Sequence, residues 1–99
     1  MKMAHTDIKP ENILLLDDAT TEEVDKKTGQ KYLVPVNPSI KVIDFGNARF
    51  LSKKKGSLIN TRQYRAPEVL LGIGWMFPSD VWSVACVIVE TCQVELHFV

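Results

Sequence analysis

Three short strings carry side chains that could do chemistry: His5-Thr6-Asp7-Ile8-Lys9-Pro10-Glu11-Asn12, then Asp44-Phe45-Gly46, then Ala66-Pro67-Glu68. The carboxylate of Asp44 and the amide oxygen of Asn12 are hard oxygen donors suited to a small divalent cation, and the Asp7 carboxylate could accept or orient a proton. Lys9 stands two residues after Asp7, on the same side of an extended segment, and would set a cation beside the acid. Taken singly, each has an ordinary explanation: an Asp near a Pro is usually a turn residue, and an Asn at a strand start usually a turn or cap. His97 offers nothing beyond that. Asp-Phe-Gly alone would be weak, but three such strings in this order carry more.

The elements that must position these residues can be read from the apolar pattern. Ile13 to Leu16 is a short apolar run between Pro10 and Asp17-Asp18, which predicts a buried strand. Residues 17–31 are charge-rich, contain Gly29 and lack an apolar period, so they read as a solvated excursion. Tyr32 to Val36 offers one further short strand. After Pro35, Asn37 and Pro38, the alternating run Ile40 to Phe45 predicts a second firm strand. Pairing the two firm strands as a hairpin around the insertion at 17–39 would bring Asn12 and Asp44 together. Gly46 to Gly74 has no sustained period, and loops of that length in compact domains are usually active-site or binding segments. Pro78-Ser79-Asp80 has helix-start chemistry, with Ser79 as the expected N-cap and Asp80 in the first turn. The helix predicted over 79–92 is apolar around most of its circumference and so reads as buried and central.

Composition narrows the class. With 99 residues and 11.2 kDa the chain allows one small domain, and 45% hydrophobic with 24% charged residues is an ordinary globular mix. Twelve Lys and Arg balance twelve Asp and Glu, which removes the electrostatic argument for a nucleic-acid or anionic-membrane partner. The longest apolar stretch, Val84 to Val89, is too short to span a bilayer, and the opening Met-Lys-Met-Ala-His-Thr-Asp contains no signal-like apolar run. Cys86 and Cys92 would lie about 9 Å apart along one helix and on different faces. They cannot bridge each other and read as buried small hydrophobes in a reducing compartment, nucleus or cytoplasm.

His5 to Asn12 fits the protein-kinase catalytic-loop signature at every fixed position but one, Thr6 standing where Arg is usual. With Asp44-Phe45-Gly46 and Ala66-Pro67-Glu68 in the expected order, the chain resembles a eukaryotic protein kinase from the catalytic loop to the central helix of the large lobe. Phosphoryl transfer needs little covalent help but does need an aligned hydroxyl and neutralised phosphate oxygens. By the resemblance, Asp7 would accept or orient the substrate hydroxyl proton, Lys9 would face the transferred phosphate, and Asn12 and Asp44 would hold Mg²⁺ on ATP. Thr61 resembles the threonine that contacts the catalytic Asp and Lys, and Arg62 and Arg65 would shape the substrate pocket. His5 and Phe45 resemble packing residues behind the site. Asp80 resembles the helix residue that holds the catalytic-loop backbone, and Glu68 the partner of an arginine further on.

The fold so implied is α+β, a fragment of the large (C-terminal) lobe made of a β-hairpin, an activation segment and a buried central helix. Residues 1–99 would form a partial kinase domain with catalytic loop 5–12, insertion 17–39, Asp-Phe-Gly at 44–46, activation segment 44–68 and central helix 79–92. The nucleotide-covering lobe, with its glycine loop and lysine, and the C-terminal helices are absent from it. Gly72-Ile73-Gly74 mimics part of a glycine loop but follows Ala66-Pro67-Glu68 and reads as a turn.

The enlarged insertion, Thr61-Arg62-Gln63-Tyr64-Arg65 and the stretch Gly74 to Cys86 look like the LAMMER, or CDC-like, dual-specificity kinases, with SR-protein kinases as the near alternative. Both groups phosphorylate Arg/Ser-rich splicing factors, so the same protein substrates are expected either way. Lys53 to Lys55 sits awkwardly with Arg-rich substrates and reads as a solvated loop. Thr6 cannot supply the charge-assisted contact to an activation-loop phosphate that Arg would make, which implies activity independent of phosphorylation at Ser52 or Ser57. The isolated chain is expected not to turn over ATP and to expose apolar faces that the rest of a kinase domain would cover. A second reading is a noncatalytic kinase remnant acting as a binding or regulatory module. The sequence does not specify an oligomeric state.

Overall fold

The computed structural model describes residues 2–50 and 58–97. In chain order it contains β1 (Met3–Ala4), β2 (Ile13–Leu15), β3 (Thr20–Val24), β4 (Lys31–Pro35), β5 (Ile40–Val42), β6 (Arg49–Phe50), α1 (Pro67–Leu70) and α2 (Pro78–His97). Single 3₁₀ turns occupy Pro10–Asn12 and Arg62–Tyr64. Lys53 to Lys55, Ser52 and Ser57 lie outside the described residues.

The expected hairpin forms: β2 pairs antiparallel with β5, Ile13 opposite Val42 and Leu15 opposite Ile40. Its ladder continues past the strands, where the Ile43 amide donates to the Asn12 carbonyl at 2.8 Å. One further step along the chain is Asp44. A second antiparallel pair, β1 with β6, sets Ala4 opposite Arg49 and ties the chain ahead of the catalytic loop to the segment after Asp-Phe-Gly.

The charge-rich excursion is more ordered than its composition predicts. β3 and β4 pair over five residues each, from Thr20 opposite Pro35 to Val24 opposite Lys31. The turn closes by the Gly29 amide donating to the Asp25 carbonyl, with Gly29 at φ 72°, where a side chain would be strained. Every β3 residue is exposed. The strand offered at Tyr32 to Val36 is β4, whereas β3, with no buried face, leaves no apolar period to read and is missed by alternation.

Packing is concentrated where the segments after the catalytic loop meet the start of α2. Ala4, Ile59, Ala66, Val69 and Trp75 form the apolar core, with Tyr64 buried beside them. β2 departs from its expected burial: Leu14, Leu15 and Leu16 are all exposed. The central helix departs twice. It runs Pro78–His97, starting with Pro at its first position and continuing beyond 92. It is not buried on most sides, since Val81, Trp82, Ile88 and Val89 are exposed. In this chain α2 packs chiefly by its first turns, through the buried Ser79 and Ser83, with Cys86 and Val87 half-buried further on; Cys92, expected to be buried, is exposed.

Candidate active site

The catalytic loop carries backbone strain. Thr6 has φ 70°, a left-handed conformation that a β-branched residue adopts only when its surroundings force it. Asp80 supplies that force. One carboxylate oxygen accepts the His5 amide at 2.7 Å and the other the Thr6 amide at 3.0 Å, so one side chain at the start of α2 clamps two successive peptide units. His5 and Thr6 are both buried, so water cannot replace these bonds.

His5 locks the loop from its ring. Nδ1 lies 3.1 Å from the Asp7 amide and accepts from it; the remaining ring nitrogen, Nε2, therefore carries the proton and donates to the Ile43 carbonyl at 2.9 Å. The imidazole thus links the residue before Asp44 to the residue that carries Asp7. Phe45 meets the His5 ring edge-on, with centroids 4.9 Å apart. Phe45 is itself exposed while His5 is buried, so the pair is an edge-to-face contact at the rim of the site and Phe45 is not a buried packing residue behind it.

These clamps bring the carboxylate of Asp7 into a connected polar set. Thr61 Oγ1 donates to Asp7 Oδ1 at 2.8 Å and accepts from Lys9 Nζ at 3.2 Å, and the Lys9 ammonium stands 3.6 Å from Asp7 Oδ2. Asp7, Lys9 and Thr61 therefore converge. Asn12 is buried and donates its amide to the Asp7 carbonyl at 2.9 Å, which directs Oδ1 away from that bond. Asp44 has φ 64° and is exposed, with Oδ1 taking the Gly46 amide at 3.3 Å. A cleft of about 240 Å³ opens beside Asp7, lined by Thr6, Asn47, Arg49 and Leu58 to Thr61.

The other expected site residues divide. Arg65 turns inward: Nε donates to the Ile59 carbonyl at 2.9 Å and Nη2 to the Asn60 carbonyl at 2.8 Å, so it braces the loop that carries Thr61. Arg62 is exposed and its guanidinium makes no hydrogen bond or ion pair among the described residues. Glu68 accepts the Ser79 hydroxyl at 2.8 Å, joining α1 to α2. Ser79 was expected to cap the helix, but it lies within α2 and spends its hydroxyl on Glu68.

Sequence reasoning missed several members. Asn60 precedes Thr61, and its left-handed φ of 67° is a conformation Asn tolerates better than most. Ser83 donates to the Tyr64 carbonyl at 2.7 Å, and the Tyr64 hydroxyl donates to Glu90. That bond first, and burial second, push the Tyr64 phenol up to about 12. Because the folded value lies above the ordinary 10, the stabilisation from this contact is complete below pH 10 and is lost as pH rises from about 10 to 12. In Glu90→Gln the tyrosinate absorbance step assigned to Tyr64, by difference from Tyr64→Phe, is expected to move down towards pH 10. An unmoved step would show that Glu90 is not its cause.

Comparison with known proteins places this geometry. The family described as "Protein kinase domain" matches residues 1–99. "Dual specificity protein kinase CLK1" of Mus musculus is 47% identical over 89 residues, covering 90% of this chain and 18% of the relative. "Serine/threonine-protein kinase AFC2" of Arabidopsis thaliana is 44% identical over 104 residues, covering 99% and 24%. "Dual specificity protein kinase KNS1" of Saccharomyces cerevisiae is 46% identical, covering 87% and 13%. The crystal structure of a kinase domain superposes with a TM-score of 0.71 at 48% identity, over 90% of this chain and 28% of the other. The chain thus spans roughly a fifth of the length of the mouse and plant relatives. With a whole-chain family match and relatives of the LAMMER, CDC-like kind, the chain belongs to the protein kinase family.

Proposed function

We propose that this chain is the catalytic-loop and activation-segment part of an ATP-dependent dual-specificity protein kinase that phosphorylates hydroxyls of Arg/Ser-rich protein substrates. The observation that carries the reading is the convergence of Asp7, Lys9 and Thr61, joined by bonds of 2.8 and 3.2 Å through one hydroxyl. Asp7 takes the substrate hydroxyl proton as that oxygen forms its bond to the γ-phosphorus and the bond from phosphorus to the ADP oxygen breaks. Thr61 fixes the rotation of the Asp7 carboxylate. Lys9 sets positive charge beside it, where the transferred group's charge develops.

The donor set fits a magnesium ion. No described residue donates to Asn12 Oδ1, Asp44 keeps Oδ2 out of its bond to Gly46, and the ladder bond from Ile43 to Asn12 makes the two residues near neighbours. One amide oxygen and one carboxylate suit an ion that completes its shell with phosphate and water. Mg²⁺ would neutralise phosphate charge when bound with ATP. Asn12 and Asp44 are the residues that would hold it.

The first test replaces the matching segment of the mouse relative with this chain and follows transfer of labelled phosphate from ATP and Mg²⁺ to an Arg/Ser peptide. Transfer that is lost in Asp44→Ala is expected. A correctly folded chimera with no transfer would overturn the reading. The 99-residue chain alone is expected to give none, because the glycine loop and its lysine are not among its residues.

Independence from loop phosphorylation belongs to the same reading. Thr6 Oγ1 donates to the Asn47 carbonyl at 2.6 Å, a neutral latch between catalytic loop and activation segment. An Arg at this position would wait for a phosphate to gain its partner. In the chimera, Ser52→Ala with Ser57→Ala is expected to keep turnover within about twofold, while Thr6→Val leaves the Asn47 carbonyl without its donor and costs about 1–2 kcal/mol of stability. Loss of activity in the serine variant would refute the latch.

A further inference from the structure

Asn60 concentrates two unfavourable features on one residue beside the site. Its backbone is left-handed at φ 67°, and its buried side-chain oxygen Oδ1 has no hydrogen-bond partner among the described residues. A residue kept in such a state holds its place by what its other atoms do. Here the Asn60 amide and side-chain Nδ2 both donate to the Thr6 carbonyl, at 2.9 and 3.0 Å, and Nδ2 also reaches Ser83 Oγ at 3.4 Å. The Asn60 carbonyl in turn accepts from Arg65 Nη2 at 2.8 Å.

We propose that Asn60 is a positioning residue: its side-chain amide, by gripping the Thr6 carbonyl and the Ser83 hydroxyl together, fixes the rotamer in which Thr61 presents Oγ1 to Asp7. Catalytic loop, activation segment and α2 meet at Nδ2, and Thr61 is the next residue in the chain. Backbone bonding to Thr6 alone sets the distance between the strands of chain. The second grip, from the side chain, resists twisting about that single bond and so sets the direction in which residue 61 leaves. This inference deepens the kinase reading and depends on it only for the turnover arm of its test.

The distinguishing variant is Asn60→Gly, which keeps the left-handed backbone without strain and keeps the backbone bond to Thr6 but removes the amide. Asn60→Asp is the isosteric companion and turns the donor towards Thr6 into an acceptor. In the whole chain, the three-bond couplings that report the Thr61 χ1 angle are expected to show one rotamer in the parent and averaging in both variants. The high-pH Tyr64 step serves as the check that each variant is folded. In the chimera, Asn60→Gly is expected to lower kcat about tenfold with the KM for ATP unchanged, the size that a small misplacement of an aligned group produces. A single Thr61 rotamer in a folded Asn60→Gly or Asn60→Asp chain overturns the proposal, as does an unchanged kcat. Averaged couplings in a chimera whose parent never transfers phosphate uphold the positioning role and overturn only the kinase reading.

Discussion

Replacing Asp80 with Ala is expected to lower the unfolding free energy by roughly 3–6 kcal/mol, since two hydrogen bonds to a charged acceptor are worth about 1.5–3 kcal/mol each. The His5 and Thr6 amides would be left without partners in a region that excludes water, as Thr6 is only 2% exposed. Thr6 would also lose what holds its left-handed backbone. Small domains are stable by about 5–15 kcal/mol in total, so the variant should be close to unfolding at room temperature. Asp80→Asn retains one oxygen acceptor but presents an amide donor to the other N–H, and should lose about half as much. Urea denaturation followed by tryptophan fluorescence measures both, because Trp75 is buried in the core. A loss below about 1 kcal/mol for Asp80→Ala would mean that the loop backbone is held by something other than this carboxylate.

The same residue shows what could and could not be read from the sequence. Local helix chemistry gives Asp80 only as a first-turn acid, and it was the family resemblance, not the local pattern, that pointed to a hold on the catalytic-loop backbone. That its two oxygens reach the amides of His5 and Thr6, 75 and 74 positions away, is information in no local window. The strands Ile13–Leu15 and Ile40–Val42 were legible because apolar alternation and Pro punctuation bracket them. β1 and β6 were not, because two-residue strands are too short to show a period.

Burial was the weakest inference, for a physical reason. Leu14 to Leu16 and the apolar sides of α2 read locally as buried, while the family resemblance implied that the isolated 99 residues would leave apolar faces exposed; an apolar pattern says that a face wants a partner, not that this chain provides one. Val81 is 66% exposed, and Val89, 55% exposed, lines a cleft of about 490 Å³ with Trp82, Cys86 and Glu90. Asp7, Lys9 and Thr61 were named from their string positions, and the contact of Thr61 with the other two came from the family resemblance, since no local pattern carries it. Arg65 was named for a substrate pocket and instead holds the Ile59 and Asn60 carbonyls, because a guanidinium five residues from a left-handed turn can satisfy buried carbonyls that the turn leaves unpaired.

The largest expected effect on turnover is at Asp7. In the chimera, Asp7→Asn keeps the size of the side chain and its Oδ1 can still accept the Thr61 hydroxyl, so the local fold should survive. What it loses is the ability to take a proton, and a general base contributes about 10²–10⁴ in rate. kcat should fall by that factor. KM for ATP should hold within about twofold, since Asn12 and Asp44, not Asp7, are assigned to the nucleotide's metal. Thr61→Val separates chemistry from alignment, because it leaves the base intact but removes the hydroxyl that orients it and that Lys9 shares. Its kcat should fall by less, about tenfold to a hundredfold, and Asp7→Asn with Thr61→Val together should be no worse than Asp7→Asn alone, as expected for two residues acting as one unit. Single-turnover kinetics of the four proteins measure this cycle. Strict additivity of the two losses would show that Thr61 acts on something other than Asp7.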